Sequence, residues 1–282
     1  MLVAKHKRRM SKEDILKDME RLLREVPVIY QYMPYEGGKM LLENMTIMVK
    51  NPTEFNDPYD CDLELLDFKS ASKEISKKSI EIFNSKLSPN EKHRAINFET
   101  LTDDKVIEMY KNIALPKFAK TIGLACFSEK GNNSLMWSHY TRSHKGICIG
   151  FDLAKLYFSL RSSKQKELAL IKVDYTNEFK PLDYFKDYNA AIYHWIRTKS
   201  EIWGYEEEVR ILFTNLVFNE HKKILFEFDK RAISEIYLGS KMLQDEEEWI
   251  KEFSKINLEN IQLYKMTKPP KSFKLYPKKI KY

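Results

Sequence analysis

Apolar residues recur at helical spacing through Ile15, Leu16, Met19, Leu22, Leu23 and Val26, and Pro27 interrupts them. Ser11 and Asp14 stand ahead of this run at capping-box spacing, so residues 1–27 read as an N-terminal helical segment. Beyond Pro27 the pattern shifts to short strands. Residues 28–32 and 46–49 read as strands, with Tyr30 and Tyr32 on one face. Gly37-Gly38 between them reads as a turn, and residues 39–44 as a short helix. Residues 68–87 and 102–120 are polar with helical period, which predicts a helical insertion over about 68–120.

Strands are expected again at 122–128, 147–151 and 168–175. An amphipathic helix over 187–200 carries Ala191, Ile192, Trp195 and Ile196 as its buried stripe. The stretch 203–213 reads as a strand, with Glu206, Glu208 and Arg210 on one face and Glu207, Val209 and Ile211 on the other. Short strands at 226–228, 235–238, 261–266 and 273–276, and a helix at 245–254, complete the chain. Many short strands with a helical insert predict an α+β fold, one mainly antiparallel domain over 28–282.

The formal net charge is +7, and residues 265–282 hold seven lysines and no acid, so the rest of the chain sums to zero. Lys5 to Arg9 form a second basic cluster. Basic ends are usually solvated, but they also suit nucleic acid through counterion release. No apolar run approaches the roughly 20 residues of a membrane span, and no apolar signal region follows the basic start. Cys61, Cys126 and Cys148 are widely spaced and odd in number, which suggests a reducing, cytoplasmic setting.

Two segments concentrate polar chemistry. The first is 134–151, with Trp137, Ser138, His139, Tyr140 and His144 running into an apolar strand. His139 and His144 are five apart and do not share a helical face, so no metal is expected there. Trp137 reads as a core ring and His139 as a buried histidine with both nitrogens hydrogen-bonded, or else Ser138, His139 and Tyr140 line a cleft that orients a polar substrate. The second segment holds Glu206, Glu208 and Arg210. Two carboxylates on one strand face raise each other's pKa unless a cation intervenes, which marks either a solvated edge or a catalytic carboxylate fixed by Arg210. The loop 51–60 offers Asn56, Asp57 and Asp60, as a capped turn or a pocket wall. No phosphate-binding glycine loop, nucleophile elbow or zinc-protease motif occurs.

Asn56-Asp57-Pro58-Tyr59-Asp60, Cys126-Phe127-Ser128, Met136-Trp137-Ser138-His139-Tyr140 with His144-Lys145-Gly146, Trp203-x-Tyr205-Glu206-x-Glu208-x-Arg210 and Ile236-Tyr237-Leu238-Gly239 occur in that order. In this the chain resembles a bacterial domain-of-unknown-function family, twenty-nine seventy-one. Val209 departs from the aromatic usual at its place. A second resemblance is to ADP-ribosyltransferase-like folds, carried by Tyr30 and Tyr32 on an early strand, Ser128 on an inner one and Glu206-x-Glu208 late. The early strand lacks their usual Arg or His.

That resemblance implies NAD as co-substrate, Glu208 as catalytic carboxylate with Glu206 and His139 beside it, and a toxin or phage-defence setting. Tyr30, Tyr32, Asn56, Asp57, Ser128, Trp137, Ser138, Tyr140, His144 and Arg210 would bind the substrate. The alternatives are a non-catalytic module that binds nucleic acid, and a nuclease whose metal is held by Asp57, Asp60, Glu206 or Glu208.

Overall fold

Alternating strands assemble into a ten-stranded sheet, seen in a computed structural model that describes residues 12–162 and 168–281. Helix α1 (Lys12–Glu25) precedes β1 (Val28–Met33), α2 (Tyr35–Asn44) and β2 (Thr46–Lys50). The short β3 (Leu66–Asp67) leads to α3 (Lys73–Ser85), α4 (Asp103–Met109) and α5 (Leu115–Ala119). A π-helical turn, Tyr110–Ala114, joins the last two. Then come β4 (Gly123–Ser128), α6 (Ser134–Tyr140), β5 (Ile147–Asp152) and α7 (Leu153–Ser162). The next run is β6 (Leu168–Lys172), β7 (Asp174–Thr176), β8 (Leu182–Asp183), α8 (Tyr188–Arg197), β9 (Thr198–Ser200) and β10 (Glu208–Phe213). The chain continues through β11 (Lys223–Glu227), β12 (Ile233–Leu238), α9 (Gln244–Asn257), β13 (Gln262–Thr267) and β14 (Tyr276–Lys279). The class is α+β, and among the described residues of the large sheet only β12 and β13 pair in parallel.

Strand β4 organises the sheet. Along one edge it pairs with β10 over its whole length, from Gly123↔Phe213 to Ser128↔Glu208. Its other edge is divided: Leu124 pairs with Lys50 of β2, and Ser128 with Tyr30 of β1. From that division β2 runs on to β11, while β1 continues through β5, β12, β13 and β14. The sheet therefore forks, and α2, which connects β1 to β2, spans the fork.

Alternation along these strands sets the core. Ile29, Ile47, Val49, Ile149, Val209 and Ile211 turn to one face and pack with Met19 and Leu22 of α1 and Leu156 of α7. A second apolar cluster joins α8 through Trp195 to Phe68, Val106 and Leu115 of the helical stretch. Each fully buried Leu, Ile or Phe contributes roughly 1.5–3 kcal/mol. Among the described residues, no helix is long and apolar enough to cross a membrane.

Several local expectations are corrected. Gly37 and Gly38 lie inside α2 rather than in a turn. Gly38 serves close packing, since a Cβ there would stand 2.2 Å from Ile147 Cγ2. The strand expected over 168–175 breaks at Val173, whose N–H donates to Glu208 O, and Asp174 starts a separate pair with Thr198. The helix expected to Ser200 stops at Arg197, because Thr198 turns extended to join that pair. Pairing in the last strand begins at Tyr276, opposite Thr267, and leaves Phe273 fully exposed. Ser11 and the Lys5 to Arg9 cluster lie outside the described residues.

Candidate functional site

The fork encloses a cavity of about 540 Å³. Tyr30 and Tyr32 of β1 and Cys126 to Ser128 of β4 line it, with Met40 and Leu41 of α2 and with Phe55 and Asn56 of the loop after β2. Met48 and Leu225 stand at its rim, both substantially exposed. Its polar end is built by Asp60, Tyr140, Lys199, Glu206 and Glu208.

Each polar group arrives from a different element. Glu208 opens β10, and Arg210 follows two residues later on the same face. Glu206 closes a 3-10 turn, Glu201–Glu206, and is not on the strand. Glu207 between them adopts a left-handed conformation, φ 44°, which breaks the expected alternation and still turns both carboxylates inward. Lys199 comes from β9, anchored by the pairing of β7 with β9 at Tyr175↔Lys199. Asp60 lies in the loop after β2, where Asp57 Oδ1 accepts the Tyr59 N–H at 3.0 Å in an Asx turn. Tyr140 ends α6, whose N-cap Asn133 accepts from Leu135 and Met136 N–H and donates to Tyr205 O at 2.7 Å.

These groups form one connected, buried network. Lys199 Nζ stands 2.6 Å from Glu206, 3.0 Å from Glu208 and 3.3 Å from Asp60. Arg210 Nε donates to Glu208 at 2.8 Å, and Nη2 to both Asp60 oxygens at 2.8 and 2.7 Å. Arg210 Nη1 donates to Ile196 O at 2.7 Å. Tyr140 donates its hydroxyl to Glu206 at 2.5 Å, and Tyr175 Oη accepts the Glu208 N–H at 2.9 Å. Three carboxylates face two cations, which leaves one formal negative charge in excess.

Burial pushes the Glu208 carboxyl up, but Arg210 and Lys199 outweigh it and hold it down at about 2. Burial likewise pulls on Lys199, and Glu208, Asp60 and Glu206 more than reverse it, so the ammonium stays charged. Burial and the bond to Glu206 together raise the Tyr140 phenol. Glu208 is therefore a fixed anion at neutral pH and not a proton donor. The Lys199 ammonium lies within 3.3 Å of all three carboxylates. Among the described residues, no group of three or more His, Cys, Asp and Glu is placed to hold a metal ion.

The structure brings Tyr30, Tyr32, Asn56, Ser128, Tyr140, Glu206 and Glu208 to the cavity wall and places the other candidates elsewhere. Arg210 is wholly buried behind Glu208 and Asp60. Trp137 is wholly buried, donates Nε1 to Gly131 O at 3.0 Å and meets the Tyr32 ring edge-on. His139, next to the wall residue Tyr140 but not on the wall, is exposed, with Nδ1 3.1 Å from Tyr205 Oη. Ser138 accepts the Ser143 N–H through its carbonyl. His144 lies off the wall, and burial, helped by Lys241, pushes its imidazole below its usual value. Asp57 is buried in its own turn, with Oδ2 unpartnered. Behind α6, Arg142, Ser143 and His144 take positive φ in succession, 48°, 58° and 70°. Gly146 follows where a Cβ would meet Met33 O at 2.2 Å.

Sequence reasoning missed Lys199. A cue was present: the α8 stripe of Ile192, Trp195 and Ile196 continues by helical spacing to position 199. A lysine on an apolar stripe demands a buried carboxylate.

The profile of a family described as protein of unknown function (DUF2971) matches residues 136–211. That match spans 76 of the chain's 282 residues and bears out the resemblance to this family there. It runs from α6 to β10 and so takes in Tyr140, Lys199, Glu206, Glu208 and Arg210. No curated protein and no solved structure matches the chain.

Proposed function

We propose that the forked cavity is the active site of an ADP-ribosyl-transfer enzyme with a nicotinamide dinucleotide as its substrate. The observation that carries this reading is the buried, negatively biased cluster at the polar end of the cavity, in which Glu208 is held ionised. Breaking the bond between ribose and nicotinamide sends its electron pair to the ring nitrogen and leaves positive charge on the sugar. A preorganised anion of low reorganisation cost favours that charge. Glu208 is such an anion, and Arg210 fixes its rotamer through two bonds. Glu206 is the second carboxylate on the wall; it would take the proton of the acceptor group as the new bond to ribose forms. The rings of Tyr30, Tyr32 and Phe55 offer apolar faces for a planar base.

The donor set fits this substrate better than a hydrolytic metal, because the Lys199 ammonium already lies within 3.3 Å of all three carboxylates. The test is nicotinamide release from the dinucleotide, with candidate protein or nucleic-acid acceptors present. Release by the native protein should fall on the order of a hundredfold or more in Glu208→Gln, with circular dichroism unchanged. No release with any acceptor and no dinucleotide binding would end this reading.

A further inference from the structure

Lys50 and Lys223 stand directly opposite each other in the antiparallel β2–β11 pair. Both are exposed, on the face that carries Met48 against Leu225, while Ile47 and Val49 turn to the core. Like charges in such a pair weaken a sheet by up to about 1 kcal/mol. The neighbouring Lys222 is held by Glu54 at 2.8 Å. The Glu54 carboxyl is lowered first by that hydrogen bond and charge, and further by Lys223 and Lys50. Three lysines thus surround one carboxylate, an excess of two positive charges.

Lys50 and Glu54 both line the cavity. The register fixes where they stand relative to the carboxylate cluster. Lys50 is level with Leu124 of β4 and Glu208 with Ser128, four residues along. At about 3.3 Å per residue the two ends of the fork lie about 13 Å apart. Between them the wall is largely apolar, with Met40, Met48, Phe55 and Leu225. The cavity is therefore dipolar: a buried anionic end and a cationic rim.

We infer that Lys50 and Lys223 form a phosphate-binding subsite at the rim, which takes the diphosphate of the dinucleotide; the assignment rests on the substrate proposed above. An anion between the two ammonium groups turns their mutual repulsion into two charge-assisted contacts. Glu54, already held by Lys222, offsets that opposition in part, and a bound anion would relieve it further. The geometry also orders the ligand, with the diphosphate at the rim and the scissile ribose bond toward Glu208.

The test uses the full chain and inorganic pyrophosphate as probe, by titration calorimetry, with Lys50→Met, Lys223→Met and the double variant. Methionine keeps the apolar stem of lysine without its charge. The native protein should bind pyrophosphate with an affinity that falls as salt rises. The double variant should lose on the order of tenfold or more. Binding of the phosphate-free nicotinamide riboside should be unchanged. The unfolding midpoint should stay level or rise, since a like-charge contact has gone, so a lost affinity is not lost folding. Equal pyrophosphate binding by native and double variant, or none by the native protein, overturns the subsite. Lysine-dependent pyrophosphate binding without nicotinamide release leaves the subsite standing and removes the transfer reading. Nicotinamide release that is indifferent to both lysines does the reverse.

Discussion

Arg210 grips Asp60 with a single nitrogen, Nη2, placed 2.8 and 2.7 Å from the two carboxylate oxygens across 150 residues of chain. Neither group is exposed to any useful extent. The pair ties the loop after β2 to the strand that bears Glu208, so the cavity's polar end and its loop wall are one mechanical unit. Arg210→Met leaves three buried carboxylates, Asp60, Glu206 and Glu208, with Lys199 as their one remaining cation in the network. The expected loss is about 3–5 kcal/mol of folding stability, read from urea unfolding. Arg210→Lys restores the charge but not the several donors of the guanidinium, and should recover only part of it. A loss under about 1 kcal/mol would mean the network is slack.

The depressed Glu208 carboxyl predicts a pH dependence of definite sign. Its folded value, about 2, lies below the ordinary 4.5. Its contribution is therefore complete above about 4.5 and is lost as pH falls through that window toward 2. A shift of that size corresponds to something on the order of 3 kcal/mol. The stability gap between the native protein and Glu208→Gln should be level from neutral pH down to about 4.5 and narrow below that toward about 2. A gap that widens on acidification would refute the assignment.

Tyr140→Phe keeps the ring and removes only the donor to Glu206. A hydrogen bond to a charged group is worth about 1.5–3 kcal/mol, so thermal unfolding should shift down measurably. Nicotinamide release should fall less than in Glu208→Gln, because Tyr140 acts on Glu206 and leaves the Glu208 clamp untouched. A larger fall than that of Glu208→Gln would reverse the roles given to the two carboxylates.

Gly146 and Gly37 should respond oppositely to alanine. A Cβ at Gly146 meets the Met33 carbonyl at 2.2 Å, and backbone cannot step aside. A Cβ at Gly37 has the Met33 side chain as its nearest neighbour, at 3.7 Å. Gly146→Ala should cost about 1–3 kcal/mol or more, whereas Gly37→Ala, in a helix, should be neutral or stabilising by about 0.5–1 kcal/mol. Parallel denaturant curves decide it.

Local periodicity made some of this visible in the sequence. Tyr30 and Tyr32 share a strand face and both reach the cavity; Glu208 and Arg210 share a face on β10, where Glu208 reaches the cavity and Arg210 is buried behind it. Glu206 joined them by another route, a left-handed Glu207 that no period predicts. His139 stands among polar and aromatic neighbours in the sequence, yet α6 is a helix, and its rotation buries Trp137 while leaving His139 outside. Lys199 falls on the apolar spacing of α8, but the three-residue strand that carries it exists only through pairing with residues 174–176, beyond the reach of local period. The cavity itself was illegible for the same reason. It arises where β1 and β2 divide one edge of β4, and that division is a fact of long-range pairing.

Lys199 has one more consequence. Many carboxylate clusters depend on an ion drawn from solution, and their assembly then follows its concentration, competition from other ions and chelation. Here the balancing cation is covalently part of the chain. It brings no association step, its stoichiometry is set at translation, and ion supply does not meter it. The cluster should form as the chain folds, at the same strength in dilute buffer and in a chelator, and its counter-charge changes only when Lys199 or Arg210 is itself changed.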